Sequence, residues 1–407
     1  MKQKRILLQI NTTANWGSTG KIAEHIGLAA LNAGWESYIA YGRFYNASKS
    51  KLIKVGSKLT VLLHGLESRL FDHHGLASRI ATNRLIKRIR QINPDIIHLH
   101  NIHGYYLNYN ILFDYLNNTD IPVVWTLHDC WAFTGHCAHF VTVGCMRWKE
   151  GMCGNCPLKH NYPKSYLDFS IRNFRLKKRL FTFRSNLYII AVSEWLKQYV
   201  GQSFLNKCNC RVIYNGIDLQ QFKSDVPTSA IIRLADDEKM VLGVSSEWTA
   251  SKGLDDFKRL RAIMASSIKI VLLGMRPEQI RDLPEGIIGI EKTQNIAELI
   301  GVYASADVFV NPTYADTFPT VNLEALACGI PVITYNTGGS PEAITPETGI
   351  VVEQGNIESL HDAINVVLRK GKEVYKHACR KRAEEYFDKD LCFKNYIELY
   401  NEVISPK

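Results

Sequence analysis

The sequence lacks any long apolar run. None of its 407 residues falls in a stretch approaching the ~18 consecutive apolar positions that a transmembrane helix needs. The basic start over residues 1–13 has an apolar core of only five residues, which is too short for a signal peptide. Low-complexity tracts and short repeats are missing as well. We therefore expect a cytoplasmic protein.

Acidic residues are also in short supply. The chain has 49 Lys and Arg against 39 Asp and Glu, which gives a formal net charge of +10. That balance suits an anionic substrate, nucleic acid or an anionic membrane surface, and charge alone does not choose among them. A hydrophobic content of 46% with 22% charged residues is ordinary for a globular enzyme, and the length allows two Rossmann-sized domains.

The N-terminal half begins with a predicted βαβ unit. A strand over 5–10, a glycine-bearing loop over 11–20 and a helix over 21–33 precede a second strand over 37–40. The loop contains Gly17, Ser18 and Gly20 but lacks the third glycine of a dinucleotide fingerprint. It is therefore either a plain tight turn or a ligand loop. Further on, the buried strand within 122–129 ends in His128, which is either a structural group or a ligand contact.

Half of the ten cysteines lie in the segment 129–163. Cys153 and Cys156 form a Cys-x-x-Cys pair, which allows two thiolates to share one tetrahedral ion, and a cytosolic setting disfavours disulfides. The sequence predicts a structural zinc site, with free thiols or a redox pair as the alternatives. The expected ligands are Cys137, Cys145, Cys153 and Cys156.

Residues 169–184 combine six basic residues with an apolar stripe. A helix of this kind either lies on anionic lipid or simply covers the sheet with its charges in water. The helix over 84–92 has a similar basic face.

The segment 307–342 contains the most specific pattern in the chain. A strand over 308–310 leads through a loop to a helix, whose start is marked by Thr317 and Pro319 and whose end is marked by Gly329. A strand over 332–334 and a flexible Gly338-Gly339 pair follow. This order places a helix N-terminus at the carboxyl edge of a parallel sheet, where α/β proteins bind anions.

Two carboxylates accompany that helix. Glu324 lies within it and Asp316 in the loop before it, so both are able to face one crevice beside a phosphate. Acidic groups at such a place usually hold hydroxyls, here those of a ribose and a sugar. The alternative is that Glu324 lies on a solvated helix face.

The whole segment resembles the signature of the large retaining glycosyltransferase family with the GT-B fold, glycosyltransferase group 1 or family 4. The matching residues are Phe318, Glu324, Ala325, Ala327, Cys328, Gly329, Pro331, Val332, Gly338, Gly339 and Glu342. The resemblance implies an α/β fold of two Rossmann-like domains facing across a cleft, with a last helix crossing back to the first domain. We expect domains at 1–218 and 219–385, a linker near 218–238, and a helix over 381–404 whose part from 386 onward packs on the first domain.

The resemblance also implies roles for individual residues. Glu324 would hold the nucleotide ribose, and Asp316 stands where the family has the first Glu of the pair. Lys252, with Gly253, would bind the donor diphosphate; Glu247 stands where an Arg is expected, and Arg276 is the candidate replacement. His128 would contact the donor sugar. Donor contacts are further implied for the glycine loop, Gly17, Ser18 and Gly20, and for Phe318, Pro319, Thr320 and Val321.

The function implied is transfer of a sugar, with retention, from a UDP- or GDP-sugar to a glycan or polyprenyl-diphosphate-linked acceptor. The segment from His128 to Pro157 resembles that of colanic-acid-type exopolysaccharide enzymes. The resemblance implies no cofactor for catalysis. We expect no nucleic acid partner, and we expect a peripheral contact with the inner membrane face. The alternatives are a nucleotide-sugar epimerase on the same fold and a catalytically silent nucleotide-sugar-binding relative.

Overall fold

The computed structural model of the protein describes residues 4–229 and 231–404. Contacts divide the chain into two compact units. The first unit contains the chain up to Tyr214 together with the segment that begins at Cys392, and the second unit is Asn215–Leu391. Each unit is built on its own parallel sheet.

The sheet of the first unit has seven strands in the order β3-β2-β1-β4-β5-β6-β7, and all neighbouring pairs are parallel. Its central strands are buried along almost their whole length, as expected where helices cover both faces of a parallel sheet. The strands are β1 Ile6–Asn11, β2 Glu36–Tyr41, β3 Lys51–Lys54, β4 Ile96–Leu99, β5 Val123–Leu127, β6 Leu187–Ala191 and β7 Asn209–Val212.

Helices surround this sheet and several have a side-chain cap that fixes where they begin. The side chain of Asn108 accepts from Ile111 N before α4, and that of Ser193 accepts from Leu196 N before α6. The helices are α1 Gly17–Asn32, α2 Lys58–Phe71, α3 Arg79–Ile92, α4 Tyr109–Leu116, α5 Ser170–Phe181 and α6 Glu194–Gly201, with a 3-10 helix at Phe140–Val143.

The sheet of the second unit has six parallel strands in the order β10-β9-β8-β11-β12-β13. The strands are β8 Lys239–Val244, β9 Ile268–Leu273, β10 Ile287–Ile290, β11 Val308–Asn311, β12 Val332–Tyr335 and β13 Gly349–Val352. The helices are α7 Leu254–Ile263, α8 Pro277–Arg281, α9 Ile296–Ser305, α10 Thr320–Ala327, α11 Ile357–Lys370 and α12 Lys372–Tyr386, with 3-10 helices at Ala250–Lys252 and Ser340–Ala343. The last helix, α13, is Lys389–Ile404.

The helix predicted over 381–404 is in fact two helices. α12 ends at Tyr386 and α13 begins at Lys389 because the chain between them pairs with another segment. Ile217 N donates to Phe387 O at 2.7 Å and Lys389 N donates to Ile217 O at 3.0 Å, which forms an isolated parallel bridge. The residues that make this bridge leave the helical ladder.

The helix predicted over 21–33 starts earlier, at Gly17, so the first glycine loop is shorter than expected. Pro319 is the residue before α10 rather than its first helical residue. Across the two stretches that the structure describes, no helix combines the length and the apolar character needed to cross a bilayer.

Candidate functional site

Each sheet has one point where the strand order reverses. In the first unit it lies between β1 and β4, and in the second between β8 and β11. The loops that follow these strands separate there and leave a crevice at the carboxyl edge, which is where open α/β sheets bind ligands. The candidate ligand residues are therefore those after β1 and β4, and those after β8 and β11.

In the second unit, Lys252 and Asp316 meet at this point. Lys252 ends the 3-10 helix after β8, and Asp316 lies in the loop after β11. Lys252 Nζ is 2.7 Å from Asp316 Oδ2, and the two side chains are 33% and 23% exposed. The pair is thus half-buried and open to water on one side, as an ammonium must be if it is to bind a soluble anion.

The backbone fixes the loop that carries Lys252. Tyr314 N donates to Ser251 O at 2.9 Å, which ties the loop after β8 to the loop after β11. Gly253 has φ +75°, and a Cβ there would lie 2.3 Å from Pro312 O. Only glycine fits both the conformation and the space, so it allows the two loops to touch.

A second glycine shapes the loop that carries Asp316. Gly338 has φ +59°, and a Cβ there would lie 1.8 Å from Asp316 O. Gly339 N donates to the same oxygen at 3.3 Å, while Asp316 Oδ1 accepts from Phe318 N at 3.2 Å. The Gly-Gly pair therefore holds the main chain of Asp316, and the carboxylate holds the start of the next turn.

α10 begins directly after this turn. The residue before it, Pro319, provides no side-chain cap, and Thr320 and Val321 in its first turn are half-buried. A helix N-terminus without a cap presents partly positive amide groups, which favour a phosphate. Phe318 and Pro319 are buried and shape the loop instead of reaching into water.

A buried polar network braces α10 against the sheet. Asn311 Nδ2 donates to Asn322 Oδ1 at 2.9 Å, and Asn322 Nδ2 donates to Ser340 Oγ at 3.0 Å. Thr334 Oγ1 lies 2.6 Å from the same Ser340 Oγ. Sequence reasoning missed these residues, although an Asn that ends an apolar strand and another inside an apolar helix are the signal that was available.

Glu324 is oriented by a tyrosine. Tyr303 Oη donates to Glu324 Oε2 at 2.8 Å, and burial raises the pKa of Tyr303 well above its ordinary value, so this phenol remains a donor. Glu324 is half-buried and does not point fully into water. A carboxylate held in this way is suited to accept hydroxyl groups from a ligand.

Arg276 follows β9, the strand beside β8, at the same edge of the sheet. Its side chain is exposed, and so is that of Glu247 in the loop after β8. Gly274 has φ +93° and a Cβ there would lie 1.7 Å from Ser245 O, so the segments carrying these two side chains touch. The structure thus places Arg276 at the same edge as Lys252 without joining them by a direct contact.

In the first unit, His128 belongs to a chain of hydrogen bonds. Gln9 Nε2 donates to Ala23 O at 2.8 Å, which leaves Gln9 Oε1 to accept from His100 Nε2 at 3.0 Å. Burial lowers the pKa of His100 well below its ordinary value, so the ring is neutral and carries that single proton. His100 Nδ1 must then accept from His128 Nε2, 3.1 Å away.

This chain sets the tautomer of His128. Its Nε2 carries the proton, and burial lowers its pKa to about 4 although neighbouring Asp129 works in the opposite direction. His128 is therefore neutral at physiological pH. A neutral, oriented imidazole is able to position a polar ligand but does not add a positive charge.

Asp129 forms a separate pair. Its Oδ2 lies 2.9 Å from His103 Nε2, and its Oδ1 accepts from Trp131 N at 2.8 Å. Burial by itself would raise the pKa of Asp129, but His103 and the backbone donor hold it at about 2. His103 in turn contacts Tyr162 Oη at 3.0 Å. This second histidine was not predicted.

The glycine loop of the first unit becomes the first turn of α1. Gly17 has φ +63°, and a Cβ at Gly20 would lie 2.7 Å from Thr13 Oγ1. Asn15 N donates to Gly20 O at 3.0 Å. Gly17, Ser18 and Gly20 thus lie at the helix N-terminus beside the end of β1, at the edge where His128 follows β5.

The four-cysteine zinc site gains no support. Among residues 4–229 and 231–404, no group of three or more His, Cys, Asp or Glu is arranged to hold a metal ion. The ten cysteines all lie in the described residues and none forms a disulfide; Cys137 shares a hydrogen bond with Cys156, and Cys153 Sγ accepts from Gly135 N at 3.3 Å. The other expected ligand, Cys145, follows the 3-10 helix at Phe140–Val143.

Aromatic packing contributes to holding this segment together. The Trp148 ring lies 4.9 Å from that of Phe133 and 5.0 Å from that of Phe140, and all three are buried. Buried Lys177 donates to Trp131 O at 2.7 Å and Thr134 O at 3.1 Å. The segment therefore has its own small core, which spacing of cysteines did not reveal.

Two parallel Rossmann-like sheets, each with a ligand crevice at the carboxyl edge where its strand order reverses, define the GT-B class. The predicted fold class is confirmed. The model for Glycosyltransferase Family 4 matches residues 25–221, and that for Glycosyl transferases group 1 matches residues 239–370. Together they match most of the chain. The protein belongs to this glycosyltransferase family.

Individual relatives agree with the family. The chain is 26% identical over 375 residues to the putative colanic acid biosynthesis glycosyl transferase WcaC of Escherichia coli K12, covering 87% of this chain and 89% of the relative. Sucrose-phosphate synthase from Thermosynechococcus elongatus is 17% identical, with a TM-score of 0.74 over 99% of this chain and 100% of that one. Anabaena HepE with UDP-glucose is 16% identical, with a TM-score of 0.62 over 98% and 99%. These two likenesses concern the fold.

Proposed function

We propose that the protein is a retaining hexosyltransferase that uses a nucleotide diphosphate sugar. The observation that carries this proposal is the half-buried Lys252–Asp316 pair beside the uncapped N-terminus of α10, at the point where the second sheet reverses its strand order. An ammonium and a helix N-terminus together suit a diphosphate. The solved relative bound to UDP-glucose makes a UDP-sugar the first donor to test.

In the reaction, the bond between the anomeric carbon and the diphosphate oxygen breaks while the acceptor hydroxyl oxygen bonds to that carbon, and the hydroxyl proton passes to an oxygen of the departing diphosphate. Lys252, the amides of Thr320 and Val321, and exposed Arg276 stabilise the charge that develops on the leaving diphosphate. Attack occurs on the face from which the diphosphate departs, which retains the configuration. No metal ion is assigned to this step.

Glu324, oriented by Tyr303, accepts the ribose hydroxyls of the donor. Asp316 contacts the donor sugar after Lys252 turns toward the diphosphate, since the two side chains neutralise each other until then. His128 orients the sugar through its fixed tautomer, and Gly17, Ser18 and Gly20 allow close approach to the first unit's ligand edge.

The acceptor proposed is a saccharide or a polyprenyl-diphosphate-linked saccharide in surface polysaccharide synthesis. The name of the relative WcaC supports a polysaccharide pathway. The protein would act in the cytoplasm, where nucleotide sugars are available, with a peripheral contact at the inner face of the membrane.

A thermal-shift panel of UDP- and GDP-sugars tests the donor. A ligand at 100 times its dissociation constant stabilises the folded state by about 2.7 kcal/mol, which is readily measured. The stabilising donor is then incubated with lipid-linked saccharides, and NMR of the product reports the anomeric configuration. Inversion contradicts the retaining assignment, release of nucleotide with a free epimerised sugar indicates an epimerase, and binding without any product indicates a silent relative.

A further inference from the structure

The outward face of α2, Lys58–Phe71, is apolar where a water-exposed helix is normally polar. Its leucines recur at helical spacing, and Leu62 and Leu66 are 69% and 54% exposed. The inward face carries His64 and Ser68, which are buried. This inverts the usual amphipathic arrangement. The exposed leucines are Leu59, Leu62, Leu63, Leu66 and Leu70.

The helix is held in place in this orientation. Ser57 and Thr60 form a capping box at its start. His64 Nδ1 lies 2.8 Å from Ser78 Oγ, and His64 Nε2 accepts from Gly75 N at 3.1 Å. The polar inward side is thus bonded to the segment after the helix, and the leucine face is fixed on the surface.

The apolar surface continues past the end of α2. Phe71 is exposed, and Tyr166 N donates to Arg69 O at 2.7 Å, which brings exposed Tyr166 and Leu167 alongside. Aromatic residues at the border of an apolar surface are typical of the membrane–water interface.

A cavity of about 750 Å³ opens just beyond this helix. His73 and Arg79 line it from the segment after α2, and Arg172, Arg175 and Arg179 line it from α5. In the part of the chain that the structure describes, none of these four arginines forms an ion pair with a carboxylate. Four guanidinium groups around one cavity repel each other unless an anion is present.

The arrangement of the arginines matches phosphate chemistry. Arg172, Arg175 and Arg179 follow at i, i+3 and i+7, so they share one face of α5, while Phe174 and Lys177 are buried on the other. Each guanidinium offers a planar fork that bonds two oxygens of one phosphate. The cavity therefore has donors for more than one phosphate group.

We propose that this cavity binds the phosphate groups of a lipid headgroup while the leucine face of α2 lies in the apolar layer of the same membrane. The basic cavity beside the apolar face is the reason for choosing lipid, because phosphate and acyl chains occur together there. The proposal deepens the proposed function and rests on it, since a transferase with a lipid-linked acceptor works at such a surface.

Sedimentation with vesicles tests the cavity. The whole protein should pellet with phosphatidylcholine vesicles that contain phosphatidic acid and not with phosphatidylcholine alone. Because each charge at an anionic surface strengthens binding by about fivefold, Arg175→Gln with Arg179→Gln should bind at least about 25-fold more weakly. The matched control replaces Lys178 and Lys207, which are exposed and do not line the cavity, by Gln. It should lose less than about threefold.

A second pair of variants tests the apolar face. Leu62→Ser with Leu66→Ser should weaken vesicle binding by about 10-fold or more, because burial of each leucine is favourable. These side chains are exposed, so the melting temperature should not change. The control is Val374→Ser in the other unit, which is 68% exposed and should bind as the wild type does.

Donor binding separates this proposal from the proposed function. All these variants should keep the thermal shift with the nucleotide sugar. Wild-type protein that binds donor but not phosphatidic acid vesicles overturns the lipid site and leaves the transferase assignment intact. Binding of pyrophosphate in solution through Arg175 and Arg179, without vesicle binding, overturns it as well and indicates a soluble phosphate ligand. If the arginine variant and the lysine control lose vesicle binding equally, the binding depends on overall positive charge and not on the cavity. That result also contradicts the proposal.

Discussion

The two reversal points differ in how they fix their key side chains. In the first unit, His128 is held by neutral groups in a buried chain that runs through His100 to Gln9. In the second unit, Lys252 and Asp316 form a charged pair that is open to water, on loops shaped by glycine. The ligand edge of the first unit fixes the position of a proton on His128, and that of the second unit fixes the position of a positive charge on Lys252. Because a leaving diphosphate is anionic, it is best matched by the edge of the second unit.

Replacing the charge of Lys252 should have the largest effect. Loss of one pre-positioned electrostatic group reduces turnover by about 100- to 1,000-fold. Lys252→Met should show this loss in kcat with the preferred donor at saturation, while the melting temperature stays close to that of the wild type. Lys258→Met is the control, since Lys258 lies on α7 outside this pair. Near-normal turnover of Lys252→Met would assign the diphosphate to another cation, first of all Arg276.

Gly338→Ala tests the backbone that carries the charge. A Cβ here would lie 1.8 Å from Asp316 O at φ +59°, so the loop must move. We expect a destabilisation of about 3 kcal/mol in urea unfolding and weaker donor binding. Gly144→Ala is a matched control, because Gly144 has φ +61° and ψ +23° and no atom within 4 Å of a Cβ. It should cost about 1 kcal/mol. Equal costs would show that the close approach to Asp316 is unimportant.

Acid should lower the stability that neutral His128 contributes to the first unit. The pKa of His128 falls from 6.5 to about 4 on burial, so its contribution to stability is complete above pH 6.5 and is lost as the pH falls toward 4. In that window, His128→Gln should reduce the slope of unfolding free energy by up to about 1.4 kcal/mol per pH unit. His160→Gln, at an exposed histidine, should leave the slope unchanged. An unchanged slope in His128→Gln would contradict the neutral state of His128.

Tyr303→Phe removes the hydrogen bond that orients Glu324. A ribose contact is similar in the ground and transition states, so we expect KM for the donor to rise by about 5- to 10-fold with little change in kcat. Glu324→Gln should act in the same direction. Tyr375→Phe, at a buried tyrosine of the same unit, controls for loss of a hydroxyl. A fall in kcat instead would place Glu324 in the chemical step.

Cys153→Ser should have the smallest effect. A serine hydroxyl is able to accept from Gly135 N as Cys153 Sγ does, so we expect soluble, folded protein destabilised by about 1 kcal/mol or less. Elemental analysis of the wild type measures whether the segment holds stoichiometric zinc. If Cys153→Ser is insoluble and the wild-type protein contains zinc, the four-cysteine site is supported.

The sequence was most informative where the pattern is local. Strand, loop, helix and glycine pair follow one another within 307–342, so their order alone predicted the edge of the second sheet. Contacts between distant residues were not accessible in this way. His98 Nδ1 lies 2.6 Å from Tyr400 Oη, 302 positions away, and the bracing of Asn322 by Ser340 depends on how strands line up.

Spacing alone does not decide between several packings that are compatible with it. The Cys-x-x-Cys pair predicted a metal, but Trp148 and its aromatic neighbours hold that segment. The leucines of α2 recur at a spacing that is typical of a core-facing stripe, and their exposure is evident only from the structure, in which His64 is bonded inward. In both cases the sequence gives the spacing of the side chains but does not show which other residues they pack against.

The close-approach glycines of the loops that carry Lys252 and Asp316 have a consequence for changing the donor by protein engineering. At Gly253 and Gly338 a Cβ would fall within 2.3 and 1.8 Å of a backbone oxygen, so any library that varies these positions mainly yields misfolded loops. Diversity is tolerated instead at half-buried Thr320 and Val321 and at exposed Arg276, whose side chains border the same edge. Selection for a new nucleotide sugar in this scaffold should therefore accumulate changes at those three positions while both glycines stay fixed.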